Sequence, residues 1–389
     1  MLITNLQKSA LFAMSVLVLS GCSALHDFLA PLGGSQAQVA ERVPLEEQPR
    51  LEPLNGNHFV LESSDQSVIG APQIVFTRDE NTFSDLAREY GLGYDELVAA
   101  NPGIDPWLPG EGTAILLPTQ YVLPNVPREG IVLNIASKRL FYFPKAEDGE
   151  DQTVMTYPIG IGRVGWQTPL GSSMVVSKAT DPSWYVPASV RREHAALGDP
   201  LPAVVPPGPD NPLGRRVLKL GIPGYLIHGT NQPYGVGMHV SHGCVRLYPE
   251  NIEPLYEQVA VGEAVRIINE PFLAGWRDGE IYFEALAPLE DDEFDVDQRL
   301  AKLLGTIEGL ADSNGVRVNI DRMRAAAAAR RGVPVIITGD AADDLSARSR
   351  IVRNTVEADP NMPTLAEVRE MLDAPLPGNE DGDDAQDSK

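Results

Sequence analysis

The chain has 389 residues, 43% hydrophobic and 22% charged, which is ample material for a core and for two or more domains. Fifty-four acidic against 31 basic side chains leave a formal charge of -23, which argues against nucleic acid or an anionic membrane surface as an electrostatic partner. Thirty-five glycines and 33 prolines point to many turns and a β-rich main body.

Residues 1 to 22 carry one lysine, Lys8, before an apolar run from Ala10 to Leu19 that is too short to span a bilayer permanently and reads as a signal peptide. Its end, Leu19-Ser20-Gly21-Cys22, resembles a bacterial lipobox. That resemblance implies a signal peptide over 1–21, lipidation of Cys22 and, with Ser23 next, anchoring to the outer membrane of a Gram-negative bacterium, facing the periplasm. Cys244 is then left unpaired in an oxidising compartment. Residues 22–72 are rich in Pro, Glu and Gln, weakly periodic, and read as a tether. In 73–120, Ile74-Val75-Phe76 and Ala114 to Leu117 bracket two helical patterns, Phe83, Leu86, Ala87 and Tyr90, then Leu97 and Val98. This strand-helix-helix-strand outline, with Asn101-Pro102 and Leu108-Pro109-Gly110, resembles LysM, a module that binds the glycan of peptidoglycan. Arg78 to Thr82 replace the usual Gly-Asp-Thr opening, so a docking domain that orients or shields a cleft is the other reading.

Residues 129–269 read as strands: Ile131 to Ile135, Arg139 to Phe143, Thr153 to Ile159, Ser173 to Ser177, Val217 to Leu220, Tyr225 to Ile227 and Ala264 to Ile268. A Pro-rich connection from Pro182 to Pro212 exceeds a simple hairpin loop and is expected to wall an active site. The segment from His228 to Arg246 then brings His228, His239 and His242 close in sequence to Cys244. A thiol attacks a carbonyl carbon well only as thiolate, and an imidazole within hydrogen-bond reach can remove its proton.

His228-Gly229-Thr230 followed by Ser241-His242-Gly243-Cys244-Val245-Arg246 resembles the signature of the L,D-transpeptidase (YkuD) family, in its ErfK-like branch. Thr168 to Gly171, Asp181 to Trp184 and Pro206 to Gly214 resemble that branch's flanking segments. The resemblance implies a mainly β sandwich or open barrel with one short helix, placed at Asn251 to Val259. It makes Cys244 the nucleophile, His228 the base and the Gly229 carbonyl the group that orients the imidazole. Backbone N–H groups of Gly243 and Cys244 are the expected oxyanion donors, because glycine lets backbone approach a substrate closely. Arg246 is expected to hold a substrate carboxylate, with Ser241 and His242 bonding substrate or shaping the loop.

The implied donor is a peptidoglycan stem tetrapeptide, cleaved after its third residue with release of D-alanine and without a cofactor. The thioester then goes to a stem amine as a 3-3 crosslink, to the lysine of an outer-membrane lipoprotein, or to water as in a carboxypeptidase. Two other classes stay open: a zinc site from His228, His239, His242 and Cys244, and a noncatalytic wall-binding lipoprotein. Beyond Pro271, a strand at Gly279 to Ala287, a helix at Val296 to Leu310 and a strand-helix-strand from Val316 to Thr338 suggest a mixed α/β appendage over 279–340. Residues 375–389 read as a disordered acidic tail.

Overall fold

The computed structural model describes residues 51–54, 56–146, 149–289 and 296–357. The signal peptide, Cys22, the tether up to residue 50 and the acidic tail lie outside the described residues.

The main body is mainly β. Nine strands form one sheet, in the order His58–Val60, Thr153–Pro158, Arg139–Phe143, Gly130–Asn134, Ala264–Ile268, Gly171–Thr180, Arg216–Leu220, Leu226–His228, Val245–Arg246. The sheet curls until its last strand reaches the segment following the second: Arg246 and Gly160 exchange both backbone hydrogen bonds, each at 2.9 Å. Side chains alternate across a strand. Ile131, Leu133, Leu140, Tyr142, Met155 and Tyr157 therefore fill the core inside the curl. Val132, Phe141, Phe143 and Val154 point the other way, into a second core shared with residues of the N-terminal unit such as Phe83, Leu86 and Leu97.

That unit has the strand-helix-helix-strand order: Gln73–Phe76, Phe83–Glu89, Tyr94–Ala100 and Ala114–Leu117, its outer strands paired antiparallel. Thr82 caps the first helix in a reciprocal capping box with Asp85. A buried ion pair joins the unit to the sheet. Arg139, 1% exposed at its side chain, reaches Glu96 at 2.7 Å and the Gly91 carbonyl at 3.2 Å, and its guanidinium lies over the Tyr121 ring.

Three sequence expectations change. The stretch to Pro72 is not all tether: His58–Val60 forms the edge of the large sheet and Val68–Gly70 pairs with Gln120–Val122. Each strand is three residues long, too short to show periodicity. The helix expected at Asn251 to Val259 starts earlier, at Pro249–Gln258, with proline at its first position, where its missing N–H costs nothing. In the C-terminal part, Val316 to Ile320 yields a single bridge, Val318 to Thr338, rather than a strand. The strand expected at Gly279 to Ala287 forms as Glu280–Ala285 and pairs in a hairpin with Phe272–Arg277, a partner the sequence reading lacks; the hairpin turns at Asp278-Gly279, both at positive φ as a type I′ turn requires. The helices Val296–Asn314 and Ile320–Ala329 share a core with it, and Arg350–Val352 returns to pair in parallel with Gln73–Phe76.

Glu284 on this hairpin is buried and accepts the Val122 N–H at 3.0 Å; desolvation raises its pKa to about 8. Its folded pKa lies above its unfolded one, so the stabilisation is complete at acid pH and is lost as pH rises through about 8. Glu284→Gln keeps the acceptor for Val122 and removes the titration. The melting temperature of the variant is expected to exceed that of the parent by a few degrees at pH 9 and to match it near pH 4, below the unfolded-state pKa, read by thermal denaturation.

Candidate active site

Two neighbouring parallel strands carry the thiol and the imidazole. Leu226–His228 and Val245–Arg246 pair with Ile227 opposite Val245 and His228 opposite Arg246, so Cys244 stands at the start of the strand beside the one that ends in His228. His228 is 3% exposed, and its Nδ1 lies 2.5 Å from the Gly229 carbonyl. A carbonyl can only accept, so Nδ1 carries the proton and Nε2 is left as the basic nitrogen. Burial and, after it, the Arg246 charge push the His228 pKa down to about 3, against the opposing pull of bonds to the Gly229 and Leu213 backbones. The ring is neutral at rest.

The Cys244 thiol is partly exposed and donates to the Gly224 carbonyl at 3.6 Å. Desolvation raises its pKa above the usual thiol value, with the Leu226 backbone and Arg246 acting in the opposite direction. Thiol and imidazole are thus both neutral before substrate arrives, rather than a preformed ion pair. Arg246 is fixed by its backbone exchange with Gly160, and its Nε is buried without a hydrogen-bond partner among the described residues. A buried guanidinium N–H without a partner is costly, and an anionic group placed there would satisfy it.

The loop before Cys244 is braced from within. Gly243 sits at φ +102, and a Cβ there would come 2.9 Å from the Tyr225 ring, so glycine is required. Ser241, 1% exposed, accepts the Gly243 N–H at 3.1 Å and donates to the Cys244 carbonyl at 2.6 Å. The Gly243 N–H thus has a partner in the serine, and of the two roles expected of Ser241, bonding substrate or shaping the loop, these bonds serve the second. Thr168, which the sequence offered only within a flanking segment, donates to the Gly243 carbonyl at 2.9 Å and accepts the Gly162 N–H at 3.2 Å.

His239 and His242 have surroundings unlike those of His228. His239 belongs to the strand His239–Ser241, which pairs in parallel with Ile161–Gly162. The His242 Nε2 is 3.0 Å from Glu193 and 3.1 Å from Arg163, and its ring meets Trp166 edge-on. Among the described residues no group of three or more His, Cys, Asp or Glu is arranged to hold a metal ion. The Pro-rich connection is not featureless: Trp184–Tyr185 pairs with Val204–Val205, and the helix Ala188–Ala196 lies between them. Sequence reasoning missed Glu193, Arg163 and Trp166. They are separated from the Cys244 motif by 50 to 80 residues, and no local pattern links them to it.

Residues 128–267 match the L,D-transpeptidase catalytic domain known as YkuD. The chain is similar to the probable L,D-transpeptidase YbiS of Escherichia coli, 40% identical over 268 residues, covering 66% of this chain and 86% of YbiS. It is also similar to the probable L,D-transpeptidases ErfK/SrfK, 38% identical over 70% of this chain and 87% of that one, and YcfS, 36% identical over 73% and 89%, both of E. coli. These alignments are longer than the matched catalytic domain, so the likeness reaches beyond it. With likeness of that extent and a matching catalytic domain, the chain belongs to the L,D-transpeptidase family of cysteine-dependent enzymes.

Proposed function

We propose that the chain acts on peptidoglycan stem peptides, with Cys244 as nucleophile and His228 as its general base. The observation that carries this reading is the placement of a neutral, carbonyl-oriented His228 at the end of one strand and the Cys244 thiol directly before the adjacent parallel strand. As sulfur attacks the carbonyl carbon of the third stem residue, the thiol proton passes to His228 Nε2. Collapse of the tetrahedral adduct breaks the peptide bond, and the amine of the departing D-alanine takes that proton, leaving a thioester on Cys244. An acceptor amine then attacks the thioester; the carbon–sulfur bond breaks, and the amine proton returns to sulfur by way of His228. Orientation by the Gly229 carbonyl in place of a carboxylate fixes the ring while stabilising imidazolium less.

The Cys244 N–H is the oxyanion donor in this scheme, Gly243 supplying the close backbone approach; losing one such donor typically costs about 3 to 4 kcal/mol of transition-state stabilisation. Arg246 holds a substrate carboxylate, with its buried Nε, which has no partner among the described residues, as one donor. The acceptor is a stem-peptide amine, giving a 3-3 crosslink, or the lysine of an outer-membrane lipoprotein; water in its place gives carboxypeptidase action. The N-terminal unit is a LysM-like module that keeps the enzyme on the glycan strand, a reading supported by its strand-helix-helix-strand order. Residues 279–340 form an appendage on the same body. Lipidation at Cys22 anchors the enzyme to the outer membrane on its periplasmic side.

Three outcomes test this. Nitrogen-15 NMR of the His228 ring in the free enzyme is expected to show no inflection between pH 5 and 8; a midpoint near 6.5 would contradict the buried neutral base. With tetrapeptide muropeptides the enzyme is expected to release D-alanine and form a Cys244-linked thioester visible in the intact-protein mass. Cys244→Ala should show neither, and crosslinked dimers against free tripeptide identify the acceptor. Expressed with a radiolabelled fatty acid in a Gram-negative host, the full chain is expected to take up label and Cys22→Ser none.

A further inference from the structure

A second polar cluster lies next to the nucleophile and is not used in the scheme above. It joins three segments at one imidazole. His242, two residues before Cys244, has its Nε2 3.0 Å from Glu193 Oε2. Glu193 belongs to the helix Ala188–Ala196, and its other oxygen makes an ion pair with Arg163. The Arg163 guanidinium is also 3.1 Å from His242 Nε2, and the Trp166 ring meets the imidazole at 5.0 Å and 80°. His194, on the same helix, places its ring 6.2 Å from that of His242.

The charges fix who donates to whom. Bonding to Arg163 holds the Glu193 carboxyl below the usual carboxylate range, so it is ionised. Burial lowers the His242 pKa, with Glu193 opposing and Arg163 and Arg246 assisting, so the ring is neutral. A neutral imidazole beside a carboxylate donates to it, so Nε2 carries the proton and Arg163 bonds the carboxylate instead.

The helix has little else to hold it. Val190 is its one buried side chain, while Tyr185, Leu197 and Val204 around it are exposed. The insertion is fastened at its base, where Asn211 donates to the Pro182 carbonyl at 2.7 Å and Arg215 meets Asp181. At the tip, the Glu193 cluster ties it to the loop that carries Cys244. A segment with few buried apolar contacts opens readily once its polar ties are removed.

We propose that Glu193 is a positioning residue that sets the fate of the thioester on Cys244, aminolysis against hydrolysis, by pinning the helix Ala188–Ala196 to the nucleophile loop through His242. This rests on the transpeptidase reading above. Either nucleophile, amine or water, adds to the thioester carbonyl, the carbon–sulfur bond breaks, and the proton of the nucleophile passes to sulfur through His228. With the helix docked, bulk water is kept from the thioester while an acceptor is awaited; with it released, water competes.

The test uses the full chain with a stem tetrapeptide as both donor and acceptor, comparing the parent with Glu193→Ala and Glu193→Gln. Thioester formation is followed by intact-protein mass, and dimer and tripeptide products are quantified. Glu193→Ala is expected to acylate at nearly the parental rate while its dimer-to-tripeptide ratio falls roughly tenfold, the scale of one charge-assisted hydrogen bond. Glu193→Gln retains an oxygen for the His242 N–H and is expected to fall between. Glu193 is partly exposed on a surface helix, so its loss does not threaten folding, and an unchanged melting temperature checks this. An unchanged product ratio with normal acylation overturns the proposal, as does slower acylation with no change in ratio. No thioester in the parent itself overturns the transpeptidase reading and this proposal with it.

Discussion

The closure of the sheet at Gly160 and Arg246 is the constraint on which the site depends. Two backbone hydrogen bonds there bring the end of the nine-strand order back onto the segment after its second strand. The segment from Ile161 to Thr168, distant in sequence, is thereby brought against the Cys244 loop, which already lies beside the His228 strand. Gly160 tolerates no side chain in this position, since a Cβ would come 2.7 Å from the Gly235 carbonyl. The closure also fixes the Arg246 backbone, and so brings the charge of that guanidinium to bear on His228 and Cys244.

Arg246 then acts on both in the same chemical sense but with different results. Its charge disfavours imidazolium at His228 and favours thiolate at Cys244. Burial opposes charge on both groups and is the larger effect on each. The resting site is therefore a neutral pair in a partly desolvated cleft, and charge appears only as bonds to substrate form. A low-dielectric setting strengthens fixed donors toward that developing charge, which is where the preformed loop held by Ser241 and Thr168 contributes.

How much of this the sequence disclosed follows from distance along the chain. Cys244, His228, Gly229 and Arg246 fall within nineteen residues, so their grouping was legible from spacing. The strands of the main body were legible too, because Gly130–Asn134 and Arg139–Phe143 are long and rich in β-branched and aromatic residues. Their burial on both faces was not, because it depends on a second unit covering the outer face. Glu193 was illegible for a related reason: nothing local to a Pro-rich loop states that its helix will meet an imidazole 49 residues away. The engagement of the Gly243 N–H by Ser241 was also hidden, since a motif gives residue types and not which way a hydroxyl turns.

The N-terminal unit meets the segment between the two signature elements at a contact that leaves no slack. A Cβ on Gly237 would come 2.2 Å from the Gly93 Cα, and one on Gly93 would come 2.8 Å from the Gly237 Cα. Tyr248 donates to the Leu92 carbonyl at 3.2 Å just beyond Arg246, and Arg88 forms a two-pronged ion pair with Glu250 at the start of the helix Pro249–Gln258. With Arg139 reaching Gly91 and Glu96 from the sheet, the short turn between the unit's two helices is gripped on several sides. A flexibly tethered module would leave its neighbour's geometry untouched. A module packed this tightly instead forms part of the wall behind the segment that joins His228 to Cys244.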